Sequence, residues 1–243
     1  MTTPIKLSPL NATAERLGAR WQDVAGWRCP QDYGNAAAEA AALRAGAGLA
    51  DVSQIGKIQI EGQRAMAMLA GALGAAPDLV GAHASVAAGE LYCLRPDMYF
   101  LTVPAGTEAE VTATLAAAAA ARTDLVTVTD LTHGLAGIQL VGPRVLDVLT
   151  RVCGLDFSDE AFPNQSARQS SVAKTRQTII RRDLAGLPSY TLFGARSLAA
   201  YVWGVLLEAG RACSLTPVGL AALSALETYP PNPLPLSEGG DRQ

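Results

Sequence analysis

Between Gly56 and Gly62 the chain reads "GKIQIEG", with Ile58 and Ile60 alternating with Lys57, Gln59 and Glu61. A period of two predicts a strand with one apolar and one wet face, ended by Gly62. From Arg64 the period lengthens. Met66, Leu69 and Leu73 recur at three- and four-residue steps, which predicts a helix with one buried stripe that stops at Gly74. Eighty residues later "IQLVGPRVLDVLTRVCG" repeats "IQIEGQRAMAMLAGALG", with identities at Ile58/Ile138, Gln59/Gln139, Gly62/Gly142, Arg64/Arg144, Leu69/Leu149 and Gly74/Gly154. Pro143 suits the first turn of the second helix, whose stripe is Val145, Val148, Leu149 and Val152.

A second echo pairs "YFLTVPAGTEAEVTATL" (99–115) with "YTLFGARSLAAYVWGVL" (190–206), at an offset of ninety-one, so the later half carries an insertion. Each predicts a strand running into a helix, the first opened by a Thr107/Glu110 capping box and the second by Ser197 and closed by Gly210. Leu198, Tyr201, Val205 and Leu206 form the second helix's predicted buried stripe. "LYCL" (91–94) and "TRQTIIRR" (175–182) add strands. The pattern predicts an α+β fold made by duplication of β-α-β subdomains, in one domain over 1–228 with repeats at about 50–123 and 124–212. Outside the repeats, Asn35 should cap an Ala-rich helix and Thr216-Pro217 should start another. Residues 229–243, rich in Pro and Gly, read as a tail.

Composition narrows the function classes. The chain is 49% hydrophobic and 17% charged, with a net charge of −3 and no dense Lys/Arg cluster, which argues against a nucleic-acid partner. Cys29, Cys93, Cys153 and Cys213 stand far apart, with no CxxC pair and only His83 and His133 to supplement them. No metal site is predicted, and isolated cysteines fit a reducing compartment. The N-terminal stretch lacks the pattern of a secretory signal, and the Ala-rich run at 113–122 is too short to cross a bilayer. A cytoplasmic protein without a membrane span is the expectation.

Familiar catalytic signatures are absent: there is no GxSxG, Walker loop or HExxH. "GAGLAD" (46–51) follows a helix and reads as that helix's C-terminal glycines. Asp51 and Asp130 hold matching positions before a turn, where each carboxylate is expected to bond turn amides. His133 reads as a turn histidine. Lys174, Arg176, Arg181 and Arg182 make the most basic strand region, read as a solvated edge or as a dock for an anion.

The phrases "GWRCPQDYGNAAAEAAALR" (26–44) and "RAGAGLADVSQIGKIQIEG" (44–62) resemble the opening of the glycine cleavage system T protein, a tetrahydrofolate-dependent aminomethyltransferase. The later half, with "CGLDFSDEAFPNQSARQSSVAKTRQTIIRRD", is similar to the gamma subunit of heterotetrameric sarcosine oxidase, of the same superfamily. Together the resemblances span about residues 8–228. They imply a folate-binding fold of two β-α-β subdomains, here without the C-terminal barrel domain with which the transferases continue.

The resemblance also implies site residues. The family's essential Asp falls at Ala87 or Ala88, leaving Glu90 as the nearest acid and the candidate catalytic residue. Tyr92 matches a tyrosine of the folate pocket, and Arg182 an arginine on the central strand. Glu227 matches the glutamate of a Leu-Arg-x-Glu motif that grips the pterin, with Ala225 in place of its Arg. The Lys-Gly-Cys-Tyr signature of the iron–sulphur repair relatives is absent. These matches imply tetrahydrofolate as cofactor and a role in one-carbon metabolism. One reading is an accessory, gamma-like subunit in oxidative N-demethylation, partnered by flavin-dependent amine oxidase or demethylase subunits. The alternative is a divergent tetrahydrofolate-dependent aminomethyl- or methyltransferase using Glu90, and a purely structural module is a third.

Overall fold

The repeated phrase builds the same supersecondary unit twice. A computed structural model describes residues 6–227 of the chain, which excludes the Pro/Gly-rich segment. A small sheet comes first, formed by β1 (Lys6–Leu7), β2 (Arg20–Val24) and β3 (Trp27–Asp32), with α1 (Asn11–Arg16) between its first two strands and α2 (Ala36–Ala45) after it. The first unit runs through β4 (Gly48–Asp51), β5 (Gly56–Glu61), α3 (Ala65–Leu73), β6 (His83–Val86), β7 (Gly89–Arg95), β8 (Met98–Val103) and α4 (Glu108–Ala120). The second runs through β9 (Thr127–Asp130), β10 (Leu135–Val141), α5 (Val145–Val152), β11 (Ser166–Val172), β12 (Thr175–Arg181), β13 (Ser189–Ala195) and α6 (Ala199–Ala209). The short β14 (Thr216–Pro217) and α7 (Leu220–Glu227) follow.

The large sheets have the orders β6-β7-β8-β5-β9 and β11-β12-β13-β10-β4-β14. Strand for strand they match, but the leading strand of each unit is exchanged. β4 pairs with β10 of the other sheet, and β9 pairs with β5. Ile138 lies opposite Asp51, and Ile58 opposite Asp130, so the two crossovers are related by a pseudo-twofold axis. At each crossover the aspartate accepts the amide two residues on, Ser53 N at 3.1 Å and Thr132 N at 2.8 Å, as expected of turn-makers. The paired glycines that end β5 and β10 have a common cause. Gly62 and Gly142 sit at φ +155° and +131°, where a Cβ would meet the Leu125 carbonyl oxygen at 2.5 Å and that of Gly46 at 2.4 Å. Both are backbone atoms just ahead of the strand that crosses in from the other unit.

The sheets stack face to face with helices outside. One core lies between the first sheet and α3/α4, with Ile58, Ile60, Leu69, Leu101 and Leu115; another lies between the second sheet and α5/α6, with Ile138, Leu140, Leu149, Leu192 and Trp203. Tyr92, Leu94, Met98, Phe100, Ala167, Ile180 and Phe193 fill part of the space between the sheets. Burying a strand on both sides removes its wet face, which is why Lys57, predicted exposed, has no solvent exposure.

Two helix stripes shift from their predicted positions. In α3 the buried residues are Ala65, Met68 and Leu69, and Met66 is 43% exposed. These are the equivalents of Val145, Val148 and Leu149 in α5, where the helix likewise begins immediately after its glycine turn. In α6 the buried set is Ala199, Val202, Trp203 and Leu206, with Leu198 and Tyr201 outside, because a 3-10 turn over Arg196–Leu198 precedes the helix and Ser197 does not cap it.

Three further local predictions have definite outcomes. Asn35 caps α2 by accepting the Ala38 amide at 3.1 Å. The Thr107 hydroxyl instead donates to the Pro104 carbonyl at 2.8 Å, and Glu108 takes the Gly106 amide at 2.6 Å. Thr216 and Pro217 form a strand rather than a helix start; the Gly219 amide just ahead of α7 is held by buried Glu39 at 2.8 Å.

Candidate functional site

Strand alternation aims one set of side chains into the gap between the sheets. On β7 these are Glu90, Tyr92 and Leu94, while Leu91 and Cys93 face the helices. A cleft of about 500 Å³ opens there. The first sheet supplies Glu90, Tyr92 and Thr102, and the second supplies Gln139, Ile180, Thr191 and Phe193. Arg182, just past β12, stands at its wall. Gln22 and Val24 of β2, Val52, Gln54 and Ile55 of the first crossover, Leu184, and Leu220, Leu223 and Ser224 of α7 complete the lining.

Glu90 is the charged centre of this cleft. It is bonded to His83 Nε2, accepts Ser85 Oγ at 2.8 Å, and is paired with Arg182 at 3.1 Å. Burial pushes its carboxyl up, but the hydrogen bonds from His83 and Ser85 and the charge of Arg182 outweigh burial and hold it below the usual range. The carboxylate is therefore ionised at neutral pH and already occupied by three partners. Ala87 and Ala88 form the turn of the β6–β7 hairpin, away from the lining.

Two other polar groups have no such partners. Tyr92 is 1% exposed, Gln54 is 8% exposed, and neither the Tyr92 hydroxyl nor the Gln54 amide has a hydrogen-bond partner among the described residues. Burial, reinforced by the negative Glu90, pushes the Tyr92 phenol upward and keeps it protonated. Neither polar atom is sealed away from solvent, unlike the Tyr33 and Tyr190 hydroxyls elsewhere, and two unpaired groups that open onto one cleft mark places where a ligand can bond.

Tyr92, Arg182 and Glu90 thus come together. Glu227 is the last residue of α7, and its side chain lies outside the described residues. His133 is a turn residue stacked on Trp27, with centroids 4.9 Å apart. The basic stretch is divided: β12 is an interior strand, Arg181 is buried against Asp183 and Asp159, and Arg182 enters the cleft. His83, Gln54, Gln139 and Thr191 went unrecognised as site residues. Alternation alone places 90, 92 and 102 on one face, but which face meets the other sheet is not written locally. Among the described residues no group of three or more His, Cys, Asp or Glu side chains could hold a metal ion, and no helix is long and apolar enough to cross a membrane.

Comparison with known proteins fits this geometry. The profile of the GCVT N-terminal domain matches residues 10–77 and 85–228. An aminomethyltransferase of Saccharopolyspora erythraea is 30% identical over 96% of this chain and 66% of its own length, and one of Cutibacterium acnes is 29% identical over 96% and 67%. The chain spans about two thirds of these curated relatives. Among solved structures, the glycine cleavage system aminomethyltransferase T of Bartonella henselae superposes with a TM-score of 0.79 at 26% identity, covering 92% of this chain and 62% of that one. A chain of the heterotetrameric sarcosine oxidase of Corynebacterium sp. U-96 shares the fold, with a TM-score of 0.60 at 24% identity over 80% of this chain and 93% of its own. With the family profile covering most of the sequence, the chain belongs to the GCVT N-terminal domain family, in the aminomethyltransferase-like, folate-binding superfamily.

Proposed function

We propose that this protein binds tetrahydrofolate in the cleft between its sheets and serves oxidative N-demethylation as an accessory, gamma-like subunit beside a flavin-dependent amine oxidase chain. The observation that carries the folate reading is the pair of polar groups without a hydrogen-bond partner among the described residues, the Tyr92 hydroxyl and the Gln54 amide, that open onto a cleft also holding Glu90 and Arg182. Such a lining fits a flat heterocycle with a polar edge: Ile180, Phe193, Leu220 and Leu223 offer apolar walls, and Arg182 suits an anionic tail. On the family resemblance Glu227 would grip the ring. Bound tetrahydrofolate supplies a reduced ring nitrogen that accepts a one-carbon unit. The accessory role is supported by the alanines at 87 and 88 and by the fold likeness that covers 93% of a sarcosine oxidase chain.

Titration of the full chain with tetrahydrofolate under anaerobic conditions, followed by calorimetry, tests the first part. Saturable binding weakened by Tyr92→Phe and Glu227→Ala is expected, and no heat at millimolar ligand would overturn it. Purification from the native host tests the second part, with a stoichiometric flavin-containing chain expected alongside. The presence of Glu90 in the cleft favours a second reading, a divergent aminomethyl- or methyltransferase. Folate-dependent turnover by the isolated chain, abolished in Glu90→Gln, would select it over the accessory role.

A further inference from the structure

The pseudo-twofold axis that relates the units also generates a second cleft between the sheets. In the first sheet, cross-strand rows run Tyr92–Phe100–Gln59 and Glu90–Thr102–Lys57; in the second, the matching rows are Ile180–Thr191–Gln139 and Thr178–Phe193–Gly137. Exchange of the units therefore turns Glu90 into Thr178, Thr102 into Phe193, Thr191 into Phe100 and Gln139 into Gln59. The residues so generated line a separate opening of about 380 Å³. The chemistry is not copied with the shape. Where the first cleft has the ionised Glu90, the second has neutral Thr178.

Its charged groups are Glu61, Arg95 and Arg176. Arg95 is committed, to Glu61 at 2.9 Å and Asp97 at 3.1 Å. Arg176 forms no ion pair among the described residues and has only a 3.4 Å hydrogen bond to the Gln169 amide oxygen. The half-buried Gln59 amide has no hydrogen-bond partner among the described residues either. Phe100, Phe193, Met98, Leu131 and Leu135 form the apolar walls.

We infer that this second cleft binds a small organic carboxylate, its charge on Arg176, its polar edge on Gln59 and its apolar body against Leu131 and Leu135, over the contacting Phe100 and Phe193 rings. The inference is independent of folate binding in the first cleft. A guanidinium without a carboxylate partner is a ready anion contact, and the unpaired amide adds a directional one.

The test is a titration of isotope-labelled full-length protein with benzoate, read by heteronuclear NMR, with benzamide as the uncharged control. Saturable shifts at Gln59, Gln169, Arg176 and Gly194 are expected, with affinity for benzamide and for benzoate on Arg176→Gln each reduced about ten-fold, the typical weight of one charge-assisted contact. Arg182→Gln, in the other cleft, should leave benzoate affinity unchanged. Equal affinity for benzamide, undiminished binding in Arg176→Gln, shifts confined to the Tyr92 side, or no saturable shift at tens of millimolar benzoate would each overturn the inference.

Discussion

The two crossovers are written with nearly the same residues and make the same turn bond, yet they carry different loads. Asp51 is buried, accepts both the amide and the hydroxyl of Ser53, at 3.1 and 2.6 Å, and is also bonded to the Ser8 hydroxyl. Burial pushes its carboxyl upward against those bonds. Asp130 is exposed at the end of an edge strand and holds the Thr132 amide. The difference comes from what surrounds each strand, since β4 is flanked by β10 and β14 while β9 has only β5. A local bond in water contributes little, and the same bond in the interior must be kept.

The axis itself shows why a duplicated sequence cannot stay symmetric. Lys57 is fully buried and its ammonium donates to Ser53 O at 2.8 Å in its own crossover and to Leu135 O at 3.1 Å in the other. The equivalent position is Gly137, where a Cβ would meet Val52 O at 2.9 Å. Two buried ammonium groups facing one another would repel with no room for either, so one lysine clips both crossovers and the other unit yields space.

That asymmetry can be broken most severely at the clip. Lys57→Ala should lose about 3 kcal/mol in urea denaturation, because it leaves a cavity and takes the ammonium from the buried Ser53 carbonyl and the part-buried Leu135 carbonyl. A loss below about 1 kcal/mol would mean that the ammonium is not a clip. Next in size are Gly62→Ala and Gly142→Ala, each expected to cost about 2 kcal/mol through strained φ and backbone contact. The test of the pseudo-twofold is that the two losses agree. Asp51→Ala should cost about 1.5 kcal/mol and Asp130→Ala about 0.5 kcal/mol, and equal values would show that burial does not separate the crossovers. Smallest is Tyr92→Phe, which removes a hydroxyl without a partner among the described residues; melting should change by under about 0.5 kcal/mol while tetrahydrofolate affinity falls.

Lysine 57 also predicts a pH signature. Burial pulls its ammonium down from 10.5 to about 8, although Asp51, Asp130 and Glu108 pull the other way and Arg196 adds to the fall. The folded chain releases this proton first, so between about pH 8 and 10.5 the unfolded chain binds more protons and this contribution to stability rises with pH. Below pH 8 both states are protonated and the full penalty remains. The buried thiols of Cys29 and Cys93, pushed up by burial, pull the other way as the unfolded thiols ionise near pH 9, and the phenols of Tyr92 and Tyr99 do so near pH 10; the Lys57 signature is therefore a difference, and from about pH 7.5 to 9.5 the stability of the wild type should rise relative to that of Lys57→Met.

Much of this was legible in the chain. The strand-turn-helix units and the turn-making aspartates follow from short-range patterns, because a period of two and a period near 3.6 depend only on neighbours in sequence, whereas the demand for glycine at 62 and 142 comes from backbone of the other unit. Leu69 and Leu206 fall on the buried faces as expected, but Met66 in α3 and Leu198 and Tyr201 at α6 stand one position from the residues actually buried, since the onset of each helix is set by the turn before it. The resemblance picked out Tyr92, Arg182 and Glu90, and the fold brings these into one cleft. It gave no hint of His83 or Gln54, whose importance depends on which strand lies across from them.

The sequence by itself determined that two similar α+β units exist, where β5, β7, β8, β10, β12, β13 and the helices α3 to α6 run, and which superfamily they belong to. Only the tertiary structure decided that the leading strands are exchanged between sheets, that the apparent wet face of β5 is interior, and that two unlike clefts lie between the units. The physical reason is range. Periodicity records whether a side chain faces a core, whereas the partner across that core is fixed by strand pairings that join residues 66 to 93 positions apart.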